Sequence, residues 1–265
     1  MEGGGHSDLH EFLIENVAKT GKRLGTGAFG EVVELLVDGS ILCAGKQMHA
    51  VLIDPLNVGS EVSVARFSSE CTLMSQVDHP NIVQFMGVCF LEPSVHPLLV
   101  MERLDTSLDD VLEKEANIPL HVIMSILLDI ASGLVYLHEF TPPIVHRDLT
   151  ARNVLLRIPS MQTKIADLGN AMIVDPSKLR MLSKAPGTTS YMPPEALQEV
   201  PKYDTQLDVF SFGHLALFAL TESFPNVAPI IYYHPVTKAP QARTCLLYTS
   251  PSPRDATLSR MPSSA

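Results

Sequence analysis

The sequence predicts an α+β chain of two lobes: a small β-rich lobe with one helix, then a larger, mainly α-helical lobe. Three observations carry that expectation. Residues 20–48 run as short apolar, β-branched segments punctuated by glycines. Residues 97–104, PLLVMERL, read as a buried strand that ends in charge. Beyond them the apolar period becomes helical, with Val122, Ile126, Ile130, Leu134 and Leu137 repeating along 119–139. A chain of 265 residues can bury a full core in one large domain or in two packed lobes.

The formal net charge of -10 argues against a nucleic-acid surface, and no run of lysines and arginines suggests a membrane patch. A polyanionic ligand must then be held by local groups. Cys43, Cys71, Cys89 and Cys245 show neither CxxC spacing nor a metal-ligand cluster, which fits reduced thiols in an intracellular protein. The start, MEGGGHSDLHEF, lacks a basic segment followed by an apolar one, so it is no signal peptide. The most apolar windows, 122–130 and 209–220, are too short and interrupted to span a bilayer. The expected setting is cytoplasmic, without a membrane segment or nucleic-acid partner; oligomeric state is left open.

Taken in order, residues 1–18 read as a flank without chemistry. Residues 21–37, GKRLGTGAFGEVVELLV, form a strand, turn and strand pattern around Gly25, Gly27 and Gly30. Glycines let a backbone lie close over phosphates, although GxGxxG alone also suits a tight hairpin or a dinucleotide turn. Val32, Val33, Leu35 and Val37 indicate that a strand follows, which favours a lid over a Rossmann turn, and GK[ST] is missing, which argues against a P-loop. The next strand, ILCAGKQM, carries Lys46. An interior strand lysine is unusual unless paired, and the plainer reading is an edge lysine in water. Residues 63–77 have helical spacing with Val64, Phe67, Cys71 and Met74 on one face and Glu70 offset toward Lys46. Residues 105–117 suggest a short helix, 119–139 a long core helix, and 205–221 a helix apolar on nearly every side, which neighbours must bury.

Between the helices at 119–139 and 205–221 lies IVHRDLTARNVLL, residues 144–156. In such a polar loop Asp148 could accept a proton from an attacking hydroxyl, and Asn153 could turn back to hold a metal ion beside it. A strand, TKIADLG, follows with Asp167, then a long stretch ending in GTTSYMPPEAL, and then LDVFSFG with Asp208.

This ordered set resembles the eukaryotic protein kinases, over about residues 20–225. The resemblance implies phosphoryl transfer from ATP, with Mg2+, to protein substrates. Gly25, Gly27 and Gly30 would cover the phosphates, and Lys46, held by Glu70, would pair them. Leu24, Val32, Ala44 and Leu155 would face the adenine, Met101 would guard the back of its pocket, and the backbone of Glu102 and Leu104 would bond the base. Asp148 would orient and deprotonate the acceptor, with Arg147 beside it facing a phosphorylated residue, Ser183 first. Asn153 and Asp167 would hold magnesium, and Asp208 would cap the catalytic loop. Glu195 would pair with an arginine further on.

Departures qualify the match. Leu168, Pro193 and Phe210 replace the commoner phenylalanine, alanine and tryptophan. Arg152 resembles the tyrosine-kinase loop, whereas Gly187, Thr188 and Tyr191 follow the serine/threonine pattern; the mixture is most similar to the tyrosine-kinase-like serine/threonine group. The competing class is a pseudokinase scaffold that binds ATP without turnover. A small-molecule phosphotransferase is disfavoured by the PPE box. The domain is expected over 19–243, its small lobe ending near 102 and its larger lobe starting near 105. Residues 244–265 have no core period, and permitted codons for them resemble a sequencing adapter. The larger lobe is accordingly expected to be incomplete.

Overall fold

A computed structural model describes residues 10–26, 30–48, 60–92, 97–115, 118–174, 204–221, 226–233 and 240–247. In chain order come β1 (Val17–Thr26), β2 (Gly30–Val37), β3 (Ile41–Met48), α1 (Ser60–Ser75), β4 (Phe85–Phe90), β5 (Pro97–Glu102) and β6 (Thr106–Ser107). Then follow α2 (Leu108–Lys114), α3 (Leu120–His138), β7 (Ile144–Val145), β8 (Val154–Arg157), β9 (Gln162–Ile165), β10 (Met172–Ile173), α4 (Gln206–Thr221), β11 (Asn226–Tyr233) and β12 (Pro240–Leu247). The chain divides into two compact units, Met1–Thr106 with Leu155–Gly169, and Ser107–Val154 with Asn170–Ala265.

The first unit is built on an antiparallel five-stranded sheet in the order β1-β2-β3-β5-β4. Asp38 and Gly39 take positive φ between β2 and β3, the backbone that a Asp-Gly hairpin turn uses. Alternation then buries Val33, Leu35, Val37, Cys43, Cys89, Leu98 and Val100 as one cluster. Helix α1 buries Phe67, Cys71 and Met74, as their spacing predicts; the side chain of Val64 lies outside the described residues. Part of the presumed flank is structured. Leu13 bridges Val88, the Ile14 N–H donates to the Val88 carbonyl at 2.8 Å, and Phe12 meets Phe85 edge-on at 5.5 Å. The open edge of β4 needs cover, which single-strand patterning does not reveal.

In the second unit the Ser107 hydroxyl caps α2 by accepting the Asp110 N–H at 3.1 Å. Helix α3 runs on past residue 130, so it is longer than its most apolar window. With 19 residues it is long and apolar enough, by length and composition, to cross a membrane. Its pattern is that of a core helix: Ile123, Ile126, Leu127, Ile130, Leu134 and Leu137 are buried and α3 packs on α4, while Leu128 is 66% exposed. The expectation of burial all round fails for α4. Leu207, Asp208, Ser211, His214, Leu215 and Ala219 are buried, but Val209 is 59% exposed. Strands β11 and β12 pair antiparallel from Asn226↔Leu247 to Tyr233↔Pro240. No strand was expected there, and its last residues fall in the segment read as an adapter-derived tail. Residues 248–265 lie outside the described residues.

Candidate active site

In the first unit, Lys46 stands opposite Val32 on β2 and Leu99 on β5, so three strands fix its position. Its Nζ donates to Glu70 Oε1 and to Asp167 Oδ1, both at 2.7 Å. Glu70 is buried on the same face of α1 as Phe67, Cys71 and Met74, which explains why its offset was readable. Burial pulls the lysine toward neutrality, but the two carboxylates outweigh it and raise its pKa, leaving a permanent cation. The Asp167 side chain remains 33% exposed, at a backbone φ of 66° that a non-glycine residue rarely adopts. Leu168 is buried, so leucine fills the apolar slot.

Gly169 was not singled out by sequence reasoning, yet the cluster depends on it. A Cβ there would lie 2.9 Å from Glu70 Oε2, 3.0 Å from Asp167 Oδ1 and 3.1 Å from Lys46 Nζ. Its N–H also donates to Asp167 Oδ1 at 3.2 Å. The only available signal was a glycine two residues beyond an aspartate.

Of the residues assigned to the base, Ala44 on β3 and Met101 on β5 are brought side by side. Ala44 is the partner of Met101, which also opposes Phe85 across β4. Ala44, Met101 and Leu104 are buried, while Leu24, Val32, Glu102 and Leu155 are half-buried. The Glu102 N–H is engaged by the Gln84 carbonyl at 3.0 Å, so a base contact at Glu102 falls to its carbonyl. Space beside Gly25 is open, whereas a Cβ on Gly30 would collide with the Gln47 carbonyl oxygen of β3. Strand pairing is therefore sufficient reason for glycine at 30. Gly27 lies outside the described residues.

In the second unit, Asp208 is fully buried and organises the loop. Its carboxylate accepts the backbone N–H of His146 at 2.8 Å and of Arg147 at 2.9 Å, with His138 Nε2 at 2.9 Å. Arg147 takes a φ of 65° between these anchors. Asn153 turns back as expected, its Nδ2 donating to the Asp148 carbonyl at 2.8 Å and to Asp148 Oδ2 at 3.3 Å. Asn170 Nδ2 donates to the same Oδ2 at 3.3 Å, a contact the sequence did not suggest. Thr150 is buried and caps the turn Ala151–Asn153. Arg152, exposed, pairs with Asp109 at 2.9 Å. Arg147 Nε donates to the Asn170 carbonyl at 2.6 Å; Ser183, Thr188, Pro193 and Glu195 lie outside the described residues.

The donor set fits magnesium held together with a nucleotide. Among the described residues no three His, Cys, Asp or Glu side chains form a metal cage. In the first unit the Asp167 carboxylate is a donor of the kind that suits an ion that keeps several waters and shares phosphate oxygens; in the second unit Asn153 carries an amide oxygen of a kind that such an ion accepts. The fixed cation at Lys46 suits those phosphates.

The sheet with its lysine–glutamate pair and the aspartate-anchored loop define a protein kinase domain. The chain matches the family described as protein tyrosine and serine/threonine kinase over residues 18–231, and it belongs to that family. It is 29% identical over 203 residues to the serine/threonine-protein kinase TNNI3K of Mus musculus, covering 76% of this chain and 24% of that protein. It is 34% identical over 206 residues to the dual specificity protein kinase shkC of Dictyostelium discoideum, covering 76% of this chain and 38% of that one. The chain thus spans well under half the length of these relatives.

Proposed function

We propose that this chain transfers the γ-phosphoryl group of ATP to a hydroxyl of a protein substrate, acting on serine and threonine in the cytoplasm. The observation that carries the reading is Lys46 bonded at 2.7 Å to both Glu70 and Asp167, a buried cation that a polyphosphate can share. Mg-ATP, when bound, supplies the transferable phosphoryl group and the ion that neutralises its charge.

The chain's own residues supply position and proton handling. Glu70 aims the Lys46 ammonium at phosphate oxygens, and Asp167 offers an exposed carboxylate to the ion. Ala44, Val32, Leu24 and Leu155 give the base an apolar setting, with Met101 limiting its depth. Asp148, oriented by Asn153 and Asn170, accepts the proton of the substrate hydroxyl. Serine/threonine preference is supported by the mouse relative, a serine/threonine-protein kinase, and Arg152, which resembles the tyrosine-kinase loop, is paired with Asp109.

The test is transfer of label from γ-labelled ATP to generic protein substrates, followed by phosphoamino-acid analysis. Phosphoserine and phosphothreonine are expected. Phosphotyrosine alone overturns the acceptor assignment, and tight Mg-ATP binding without transfer makes the chain a nucleotide-binding scaffold instead.

A further inference from the structure

Strand β1 does not run evenly beside β2. Lys19 pairs with Leu35 and the next pair is Arg23 with Val33, so Thr20, Gly21 and Lys22 together stand opposite Glu34. Gly21 takes a φ of 86° in this bulge, a backbone that favours glycine. Beyond it a second shift passes over Leu24, and the ladder resumes as Gly25↔Val32 and Thr26↔Glu31. Where the bulge sits therefore decides which face of the sheet Leu24 and Gly25 meet.

The side chain of Glu34 closes the gap that the ladder leaves. Its Oε2 accepts the Thr20 hydroxyl at 3.0 Å, its Oε1 lies 3.6 Å from Lys22 Nζ, and the Lys22 N–H donates to Thr20 Oγ1 at 3.3 Å. Glu34 is buried, in one row with Ala44 and Met101 across β2, β3 and β5. A buried carboxylate is costly unless a cation matches it. Arg103 Nε stands 2.8 Å from Oε1 as an ion pair without a well-aimed hydrogen bond, and Arg103 Nη1 is held by Asp105 at 3.2 Å.

The frame behind Arg103 is rigid. The Asp105 N–H donates to the Leu156 carbonyl at 2.9 Å, and Asp105 Oδ2 accepts the Ile158 N–H at 2.8 Å. Glu102 is clasped by Arg157 of β8 and Lys164 of β9. Strand β9 in turn runs beside residues 81–83. The Val83 N–H donates to the Ile165 carbonyl at 2.8 Å, the Ile165 N–H to the Asn81 carbonyl at 2.8 Å, and Asn81 Nδ2 to the Thr163 carbonyl at 3.0 Å.

We propose that Glu34 is a positioning residue for the nucleotide lid: by bonding Thr20, attracting Lys22 and pairing with Arg103, it locks the bulge at residues 20–22 and so fixes the register of Leu24 and Gly25. This rests on the ATP-binding reading above. A bulge that migrates by one residue sends the side chains it passes to the opposite face. Leu24 would then leave the base, and Gly25 the phosphates. Glu34→Leu keeps an apolar side chain in the buried row and leaves the bulge one weak tie, the Thr20 hydroxyl to the carbonyl of residue 34 at 3.4 Å. Arg103 keeps Asp105 in that variant.

The experiment is hydrogen exchange of the 265-residue chain read by mass spectrometry, with calorimetric titration of adenosine and Mg-ATP and with thermal melts. Glu34→Leu should speed exchange at residues 23–26 by about tenfold or more while β3 and β5 keep the wild-type rate. It should weaken adenosine by about threefold to tenfold, and Mg-ATP at least as much, because Gly25 is displaced with Leu24. Thr20→Val, which loses the hydroxyl, should move both readouts the same way, whereas Thr20→Ser, which keeps it, should stay within about twofold of wild type. Unchanged exchange at residues 23–26 in folded Glu34→Leu, unchanged adenosine affinity, or exchange that rises equally in β3 and β5 overturns the proposal. If Glu34→Leu melts below the assay temperature, Thr20→Val takes its place, and wild-type behaviour of that variant overturns the proposal as well. A wild-type chain that binds neither ligand sinks the ATP-binding reading, and the exchange data then decide the lock alone.

Discussion

Lys46 and Asp167 share one hydrogen bond, yet their removal should have different consequences. Lys46→Ala leaves Glu70 and Asp167 facing each other without a cation, and Asp167→Ala removes the carboxylate offered to the ion. Both variants should abolish phosphoryl transfer, but only Asp167→Ala should also remove the magnesium dependence of nucleotide binding. Titrating nucleotide binding against magnesium separates them, and near-wild-type turnover in either rejects the mechanism. Next to this cluster, Cys71 is held in its thiol form. Burial first and Glu70 second push its pKa up to about 12, with Lys46 opposing them only in part. Native protein at pH 8 should therefore resist iodoacetamide at Cys71 and react once unfolded, as read by mass spectrometry. Rapid labelling in the folded state would show that the thiol is less enclosed. At this scale the sequence was informative where a residue's role follows from its own chemistry and offset, as for Lys46 and Glu70. It was silent on Gly169, because the reason for glycine is crowding by side chains from positions 46, 70 and 167.

Elements show the same division. Strand alternation and the helical faces of α1 and α3 were legible because they are local periodicities. The pairing of Leu13 with Val88, and the clasp on Glu102, were hidden because each needs partners far away in the chain. Two elements yield predictions of their own. The loop from His146 to Asn153 hangs on Asp208, so Asp208→Asn, which keeps the shape and loses the charge, should cost about 1.5–3 kcal/mol of stability. Chemical denaturation measures it; no change would mean that the loop is held by other contacts. Strand β2 carries Glu34, whose Oε2 accepts the Thr20 hydroxyl at 3.0 Å and whose Oε1 lies 2.8 Å from Arg103 Nε and 3.6 Å from Lys22 Nζ. Burial alone would raise its pKa, but Thr20, Lys22 and Arg103 together lower it from the ordinary 4.5. The stabilisation from Glu34 is then fully present above that value and disappears as pH falls through the lowered one. Glu34→Gln should melt below wild type at pH 7, with the gap closing in acid. A gap that widens in acid would reverse the sign.

For the molecule as a whole, the exposed apolar side of the second unit is the most consequential departure from what the sequence suggested. Leu120, Met124, Leu128 and Val135 lie along one side of α3, and Val209 and Leu220 are exposed on α4. A helical pattern reports which residues are apolar and not which of them find neighbours: Val209 and Leu220 were expected to be buried on α4, whereas on α3 the core was expected on the side of Ile126, Ile130, Leu134 and Leu137, which is buried. An apolar stripe in water promotes association. Leu128→Lys should reduce light scattering and dye fluorescence at high protein concentration while leaving far-ultraviolet circular dichroism unchanged. Unaltered scattering would show that the stripe does not drive association.

The run of Asn81, Ile82 and Val83 beside Thr163 and Ile165 has a further effect, on the order of events during synthesis. The first unit needs β9, yet the chain delivers β9 only after α2 and α3 have been made. Between the end of β5 and β9 lie about 60 residues, on the order of 3–12 s at the ribosome. Through that interval the backbone groups of residues 81–83 and the Glu102 carboxylate await their partners. Contacts of such long sequence separation are slow to form. The β-rich unit, though it begins first, is therefore finished late, and a nascent chain halted before residue 165 should be cleaved by protease within residues 79–102 more readily than one halted beyond residue 169.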